Sequence, residues 1–129
     1  MTGLTDLNPS ATPITDDGLI HPKRLVNLSN LNIRDTRVTD AGLIHISTLP
    51  NLHRLVLEGL SIGDDGLAHL SLIQNLTILG LNKTQVTDAG MDHLLEMSKL
   101  KQVFLFDSQV TVSGIEELKL CLAYCAIGH

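Results

Sequence analysis

The sequence repeats itself every 24 residues, and this period constrains the fold more than any other feature. The stretch TRVTDAGLIHI, residues 36–46, returns as TQVTDAGMDHL at residues 84–94, and a more divergent copy, LSIGDDGLAHL, occupies residues 60–70 between them. Four aligned rows begin with an L-x-x-L-x-L pattern, whose three columns are Leu28, Leu52, Leu76 and Leu100; Leu31, Leu55, Leu79 and Val103; and Ile33, Leu57, Leu81 and Leu105. A chain with this kind of period consists of one small structural unit stacked on copies of itself.

The first two leucine columns continue into both ends of the chain, at Leu4, Leu7, Tyr124 and Ile127. The ends diverge elsewhere, because Pro9 and His129 occupy leucine positions and Pro22 falls in the helical part of the first row. Atypical end repeats are usual in stacked repeat proteins. We therefore predict a single domain over residues 1–129, with a degenerate first repeat or cap (1–27), three regular repeats (28–51, 52–75 and 76–99), and a last repeat with a closing strand (100–129).

Each row changes from a strand-like to a helix-like pattern. Leu55 and Leu57 alternate with outward-facing residues, as in a strand with one buried face, whereas Leu67, Leu70 and Ile73 follow at helical spacings. Stacked strands lie about 4.8 Å apart, but packed helices need roughly 8–10 Å, so the stack must curve. The sequence thus predicts an α/β solenoid with a parallel sheet on its concave face and helices on its convex face.

The repeated T-D-A-G stretch is predicted to begin each helix. Thr39 or Asp40 can cap the helix by accepting hydrogen bonds from its free amides, and the acidic group also suits the positive end of the helix dipole. Glycine inside a helix costs about 1 kcal/mol relative to alanine, so its recurrence needs a steric reason. We expect no Cβ to fit there, because the helix backbone passes close to its own strand or to the preceding turn. The glycine column is Gly18, Gly42, Gly66, Gly90 and Gly114.

These residues resemble the leucine-rich repeat superfamily over roughly residues 4–127, and specifically the T-x-V-T-D-A-G-L-x-H-L repeats abundant in planctomycete bacteria. That variety is similar to the cysteine-containing, ribonuclease-inhibitor-like repeats of F-box substrate receptors. The resemblance implies a solenoid of about five 24-residue repeats that binds other proteins and has no catalytic site. The tail VTVSGIEELKLCLAYCAIGH looks like a terminal repeat whose helix leads into a short closing strand.

The chain departs from the family pattern at three points. Leu60 stands where the other rows have a polar turn residue, as at Thr36 and Thr84. Ala123 and Tyr124 replace the usual proline before the last cysteine. No F-box is present, so a ubiquitin-ligase role is not implied.

Charge and hydropathy narrow the partner classes. The nine Lys and Arg residues are scattered singly in a chain of net charge −5, so no basic stripe is available for nucleic acid. No apolar run approaches the roughly 18 residues of a membrane span, and the N-terminus does not resemble a secretory signal. We expect a cytoplasmic protein, and we interpret the N-x-S/T sequences at Asn27, Asn75 and Asn82 as coincidental.

Four histidines share one column, His21, His45, His69 and His93, with Glu117 in the last row. Equivalent helix positions in neighbouring rows lie roughly 10 Å apart, which excludes a shared zinc ion, whose ligands all lie about 2 Å from one point. We interpret these histidines as residues that pack or hydrogen-bond to the next row.

The remaining candidates for chemistry also have structural interpretations. Helix capping accounts for the aspartate column Asp16, Asp40, Asp64 and Asp88 without calcium or paired carboxylates. Cys121 shares the core column of Leu25, Leu49, Ile73 and Met97, so we predict a small buried side chain there, with Cys125 in the closing strand and no disulfide between them. The sequence predicts no cofactor, no metal and no enzymatic activity.

The outward positions of the strands form the candidate binding face. Both phenylalanines of the chain, Phe104 and Phe106, are predicted to point outward on the last full strand. Aromatic and arginine side chains are enriched at interaction hot spots. Gly80 and Val56 would form a shallow apolar trough beside Phe104. The candidate binding residues are Arg34, Arg54, Val56, Glu58, Ile78, Gly80, Asn82, Gln102, Phe104 and Phe106, in a face that begins with Asn30 and Asn32.

Three interpretations of this face stay open. The first is a monomeric, non-enzymatic module that binds a polypeptide on the concave strands. The second is a recognition or structural segment of a larger receptor, of the F-box-like or cytochrome-fused kind, which would expose an unpaired terminal strand and self-associate. In the third, the C-terminal tail folds over Phe104 and Phe106 as a cap.

Overall fold

From β2 onwards, short strands alternate with short helices in the described part of the chain. The computed structural model describes residues 28–122 and 125–128, together with the backbone of residues 6–7. The strands are β1 (Asp6–Leu7), β2 (Asn30–Asn32), β3 (Arg54–Val56), β4 (Ile78–Gly80), β5 (Gln102–Phe104) and β6 (Ala126–Gly128). The helices are α1 (Asp40–Ile46), α2 (Asp64–Leu70), α3 (Met91–Leu94) and α4 (Val112–Cys121), and a 3-10 helix, Asp88–Gly90, leads directly into α3. The predictions at Leu4, Pro9, Asp16, Gly18, His21, Pro22, Leu25, Asn27, Ala123, Tyr124 and His129 lie outside the described residues.

The strands of the described residues form one parallel sheet in chain order, from β1 to β6. Each strand pairs with the next at an offset of 24 residues, as in the pair Leu31 and Leu55 and the pair Leu55 and Leu79. The end strands keep this register, since Leu7 pairs with Leu31 and Val103 pairs with Ile127. The predicted α/β organisation with a parallel sheet is confirmed, and so is the alignment of the leucine columns across it.

Strand and helix leucines share one hydrophobic core. Leu31 and Leu55 from the strands and Leu43 and Leu67 from the helices all have 0% exposed area and belong to the same cluster of buried side chains. Full burial of a leucine contributes about 1.5–3 kcal/mol relative to exposure, so the leucine columns dominate the stability of the fold. No helix in the described part of the chain is long and apolar enough to cross a bilayer.

The turns after β2, β3, β4 and β5 pass through a left-handed backbone conformation. The residues with positive φ are Asp35 (56°), Gly59 (77°), Lys83 (58°) and Asp107 (58°), again 24 residues apart. One residue later, the hydroxyls of Thr36 and Thr84 are buried and donate to the carbonyl oxygens of Ile33 (2.7 Å) and Leu81 (2.6 Å). Buried Leu60 replaces this hydroxyl in the second described row and keeps only the backbone bond of the turn.

The aspartate column connects neighbouring rows, and its predicted role as a cap of its own helix is wrong. Oδ1 of Asp64 accepts from the amide of Thr87 (2.8 Å), and Oδ2 accepts from the Thr87 hydroxyl (2.5 Å). Asp88 binds Thr111 in the same way, at 2.8 Å and 2.6 Å. Each carboxylate therefore binds the residue that precedes the helix of the next row, because the helix starts are stacked at the spacing of the rows.

Two of the described helix starts have a side-chain cap, and in both the cap is a threonine rather than an aspartate. The hydroxyl of Thr87 accepts from the amide of Ala89 (3.3 Å), and that of Thr111 accepts from the amide of Gly114 (3.2 Å). Thr39 occupies the same position before α1 but its side chain makes no capping bond, and Gly63 before α2 has no side chain to make one.

The recurring glycines have a steric cause, as the sequence predicted, but the atoms that exclude a Cβ belong to a different neighbour from the one expected. A Cβ on Gly90 would lie 2.8 Å from Cδ1 of Leu67 and closer still to Oδ1 of Asp64. A Cβ on Gly114 would lie 2.6 Å from Cγ of Asp88. The aspartate of the preceding row, rather than the glycine's own strand, fills the space.

The last helix differs from the others and overturns the prediction for Cys121. Helix α4 has 10 residues, whereas α1 and α2 have seven each. Because α4 continues through Cys121, that side chain is exposed, and the next residue, Leu122, packs against the core instead. In the earlier rows the chain leaves the helix before this column, which lets Leu49 and Ile73 turn inward.

Candidate functional site

The outward side chains of β2 to β5 and of the residues just after them form one surface, which we call the strand face. The predicted members are Asn30, Asn32, Arg34, Arg54, Val56, Glu58, Ile78, Gly80, Asn82, Gln102, Phe104 and Phe106. The sheet register places Val56, Gly80 and Phe104 side by side on adjacent strands. The structure therefore brings together the residues that the sequence grouped on this surface.

One end of the strand face is charged. An Nη of Arg34 lies 4.0 Å from Oε2 of Glu58, and Nε of Arg34 lies 3.5 Å from Oδ2 of Asp35. An Nη of Arg54 donates to Oδ1 of Asn30 (3.5 Å). The Arg34 side chain is 48% exposed, so these pairs contribute less than about 1 kcal/mol each and leave the guanidinium available to a partner.

A chain of polar contacts leads from this charged end towards the phenylalanines. Asn82 donates through Nδ2 to Oε1 of Glu58 (3.1 Å) and accepts through Oδ1 from the amide of Phe106 (2.7 Å). The side-chain amide of Asn82 thus holds both the Glu58 carboxylate and the backbone of Phe106. The sequence assigned Asn82 to this surface but could not predict the hydrogen bonds, because they depend on side-chain rotamers.

The apolar trough predicted beside Phe104 is partly filled. Val56 is only 7% exposed, and Gly80 is also buried. A Cβ on Gly80 would lie 3.5 Å from Cγ1 of Val56 and 3.5 Å from Oε1 of Glu58, so both side chains lean over the glycine. The trough is therefore shallow, and a carboxylate borders it.

Phe104 and Phe106 lie against the closing strand but are not enclosed by it. A Cβ on Gly128 would lie 2.9 Å from Cε2 of Phe106 and 3.1 Å from Cδ1 of Phe104. Phe104 is intermediate in burial, whereas Phe106 is 47% exposed. Strand β6 thus covers one side of the pair, as the cap interpretation requires, while about half of the Phe106 ring still faces solvent.

The described histidines and cysteines form no common site. His45, His69 and His93 are each intermediate in burial and lie in the last turn of their helices. Among the described residues, no three histidine, cysteine, aspartate or glutamate side chains lie where they could hold one metal ion. Cys121 and Cys125 are both free, and burial raises the pKa of the Cys125 thiol.

Hydrogen bonds from Thr111 shift the pKa of the Asp88 carboxylate. The Thr111 hydroxyl, and after it the Thr111 amide, donates to this carboxylate and lowers its pKa below the usual value of 3.8. The hydrogen bonds that lower this pKa join neighbouring rows, so the shift indicates a structural role for Asp88 rather than acid–base chemistry.

Comparison with known proteins gives the fold class. No protein-family model matches the chain, and no curated protein matches its sequence. The actin-binding site 2 (ABS2) of leiomodin-1 superposes with a TM-score of 0.74 at 16% identity, over 95% of this chain and 80% of that one. An internalin (InlF) from Listeria monocytogenes superposes with a TM-score of 0.54 at 19% identity, over 92% of this chain and 46% of that one. This chain thus spans less than half of that internalin, and at such identities the likeness concerns the fold alone: the chain has a fold similar to that of leucine-rich repeat proteins.

Proposed function

We propose that this chain is a non-enzymatic protein-interaction module that binds a polypeptide on the strand face. The observation that carries the proposal is Phe106, whose ring is 47% exposed beside Phe104 and on the same surface as Arg34 and Arg54. Exposed aromatic rings grouped with arginines are the residue types that contribute most to binding energy at protein interfaces. A repeat stack with 24-residue units also supports an extended curved form, with about five repeats in one domain over residues 1–129 and the strand face on the concave side.

The chemistry of the strand face favours a polypeptide over nucleic acid. The face carries both signs of charge, since Arg34 lies beside Glu58, and the whole chain has a net charge of −5. A phosphate backbone would meet no continuous basic surface there. The leiomodin-1 structure, which has a similar fold, is named as an actin-binding site, and this supports protein binding by the fold. At 16% identity we do not propose actin as the partner of this chain.

The proposal is tested with paired variants on the two faces of the molecule. Phe104→Ala with Phe106→Ala removes both rings from the strand face, whereas Leu72→Ala with Leu120→Ala removes two apolar side chains that are 64% and 83% exposed elsewhere. Tagged proteins capture partners from native lysate by chemical crosslinking, and mass spectrometry quantifies them. We expect the phenylalanine variant to lose its partners at least about tenfold, because hot-spot aromatics contribute about 2 kcal/mol or more each.

The control variant is expected to keep the same partners as the unmodified protein. Circular dichroism checks that both variants are folded. If the double variant is not, Phe106→Ala alone is used, since Phe106 is more exposed than Phe104. Undiminished capture by a folded phenylalanine variant would refute binding through this surface.

A second candidate is a recognition or structural segment of a larger receptor. The observation that favours it is strand β6, which pairs with β5 on one side and has no second strand beside it in the described residues. An open strand edge promotes self-association. Sedimentation velocity over a concentration series separates the candidates, because the segment should self-associate with rising concentration and the independent module should stay monomeric.

A further inference from the structure

A cavity of about 590 Å³ lies at the edge of the sheet where β3, β4 and β5 begin. His53, Thr77 and Lys101 line it, and each of them immediately precedes one of these strands. Lys99 and Asn75 line it from the preceding loops, and buried Leu100 also contributes to the wall. We call this the basic cavity; it adjoins the strand face, whose residues Arg54, Ile78 and Gln102 follow directly in the chain.

The lining of the basic cavity is unusual for this chain in its charge. It contains two lysines and a histidine but no aspartate or glutamate, although the chain as a whole has a net charge of −5. Among the described residues, no ion pair joins Lys99 or Lys101 to a carboxylate. Two ammonium groups that share a concave site without a counter-charge favour the binding of an anion.

Two side chains of the basic cavity, Lys99 and Asn75, are linked by hydrogen bonds between rows. Nζ of Lys99 donates to Oδ1 of Asn75 (2.9 Å), and Nδ2 of Asn75 donates to the carbonyl oxygen of Pro50 (3.0 Å). An ammonium group has three N–H donors, so Lys99 keeps two for a ligand while its position is fixed. Preorganised donors lose less side-chain entropy on binding than free ones.

We propose that the basic cavity binds aspartate or glutamate side chains of an acidic polypeptide segment. The inference rests on the proposed function and names the chemistry of its partner, whose acidic residues would dock here while apolar ones contact the phenylalanines. Two ammonium groups match one or two carboxylates, and no phenylalanine, tyrosine or tryptophan lines the cavity. The negative charge of the whole chain repels an extended polyanion, so a short acidic segment fits better than nucleic acid.

The test uses fluorescein-labelled hexaglutamate as the probe and measures fluorescence anisotropy at low ionic strength. Lys99→Gln with Lys101→Gln is compared with Lys83→Gln with Lys119→Gln, which changes the net charge equally but outside the cavity. We expect about five-fold weaker binding for the cavity variant and less than about two-fold for the control, because an exposed ion pair supplies only a modest share of affinity. Labelled hexaglutamine should not bind either protein.

Three outcomes would overturn the proposal. These are no saturable binding of hexaglutamate, equal weakening in both double variants, and tighter binding of inorganic phosphate or of a DNA oligonucleotide than of hexaglutamate. The result is independent of the phenylalanine test. If hexaglutamate does not bind but the Phe104 and Phe106 variant loses its partners, the proposed interaction module stands and the proposed acidic partner is refuted. Retained partners in that variant refute binding through the phenylalanines even if hexaglutamate binds.

Discussion

At the scale of single residues, the aspartate and glycine columns explain each other. The Asp64 carboxylate reaches forward to Thr87 and lies where a Cβ on Gly90 would be, and Asp88 stands in the same relation to Gly114. Each glycine is required because the previous aspartate needs its space. The two columns recur together because they form one contact between rows.

Gly90→Ala should therefore destabilise the protein by about 1–3 kcal/mol, the usual cost of forcing an atom into a packed site. In an Asp64→Ala background the same change should cost about 1 kcal/mol less, because the closest neighbour of the new Cβ is gone. Urea denaturation of the four proteins measures this coupling. Gly80→Ala is the control, since a Cβ there makes only ordinary contacts at 3.5 Å. Equal costs in both backgrounds would contradict the pairing.

Asp88 should make stability depend on pH in the acid range. Its pKa is lower in the folded protein than the value of 3.8 expected without the Thr111 bonds, so the carboxylate stabilises the fold above that pH. This contribution is lost as pH falls through the lowered folded pKa. Unfolding free energies between about pH 2 and pH 5 should fall less steeply for Thr111→Val than for the unmodified protein. An unchanged slope would show that the Thr111 hydroxyl does not act on Asp88.

Several contacts of single residues could not be predicted from the sequence. The spacing of Gly66 and Gly90 was enough to predict a steric requirement, but not the aspartate that causes it. A repeated sequence does not indicate whether a side chain contacts its own row or the next one. We did not predict the positive φ at Asp35, Gly59, Lys83 and Asp107, although glycine and aspartate both adopt that conformation more readily than other residues. The contact between Gly128 and the two phenylalanine rings was also unexpected.

At the scale of elements, the start of α2 is the weakest helix start of the regular rows. Gly63 stands where the other described rows have Thr39, Thr87 and Thr111, and it provides no capping side chain. The Asp40 carboxylate still accepts from the Gly63 amide (3.0 Å). A threonine hydroxyl there would be close to that carboxylate and to the free amides of α2.

Gly63→Thr should stabilise the protein by about 0.5–1 kcal/mol, since it adds a cap and a bond to Asp40. Space is available, because a Cβ on Gly63 would have only the Gln85 carbonyl oxygen nearby, at 3.7 Å. Thermal unfolding of Gly63→Thr beside Gly63→Val, which has the shape but no hydroxyl, isolates the hydrogen bonds. A valine variant as stable as the threonine variant would exclude the capping explanation.

Element lengths were less predictable than element order. The alternation of strand and helix followed from the change of apolar period within each row, but the 3-10 helix before α3 and the extension of α4 did not. Both depend on local packing, which the repeat pattern does not describe. Because of this extension the Cys121 side chain lies outside the core. The column position predicts burial correctly for Leu49 and Ile73 but not for the last row.

At the scale of the whole molecule, the 24-residue register was the most predictable property, because each leucine column needs the same neighbour in the next row. The strand face followed from that register and from strand alternation alone. Its exposure did not, since Val56 is nearly buried while Phe106 stays half exposed. Burial on the outward side of a sheet depends on how long neighbouring side chains fold over it, and the repeat pattern carries no information on that.

The most direct test of the central claim places a photo-crosslinking residue on each side of the molecule. Benzoylphenylalanine replaces exposed Gln102 on the strand face in one protein and Leu120, 83% exposed on α4, in another. Irradiation in native lysate followed by mass spectrometry identifies the adducts. Polypeptide adducts at position 102 that are absent at position 120 are the predicted result. Adducts that form at position 120 and not at position 102 would contradict binding on the strand face.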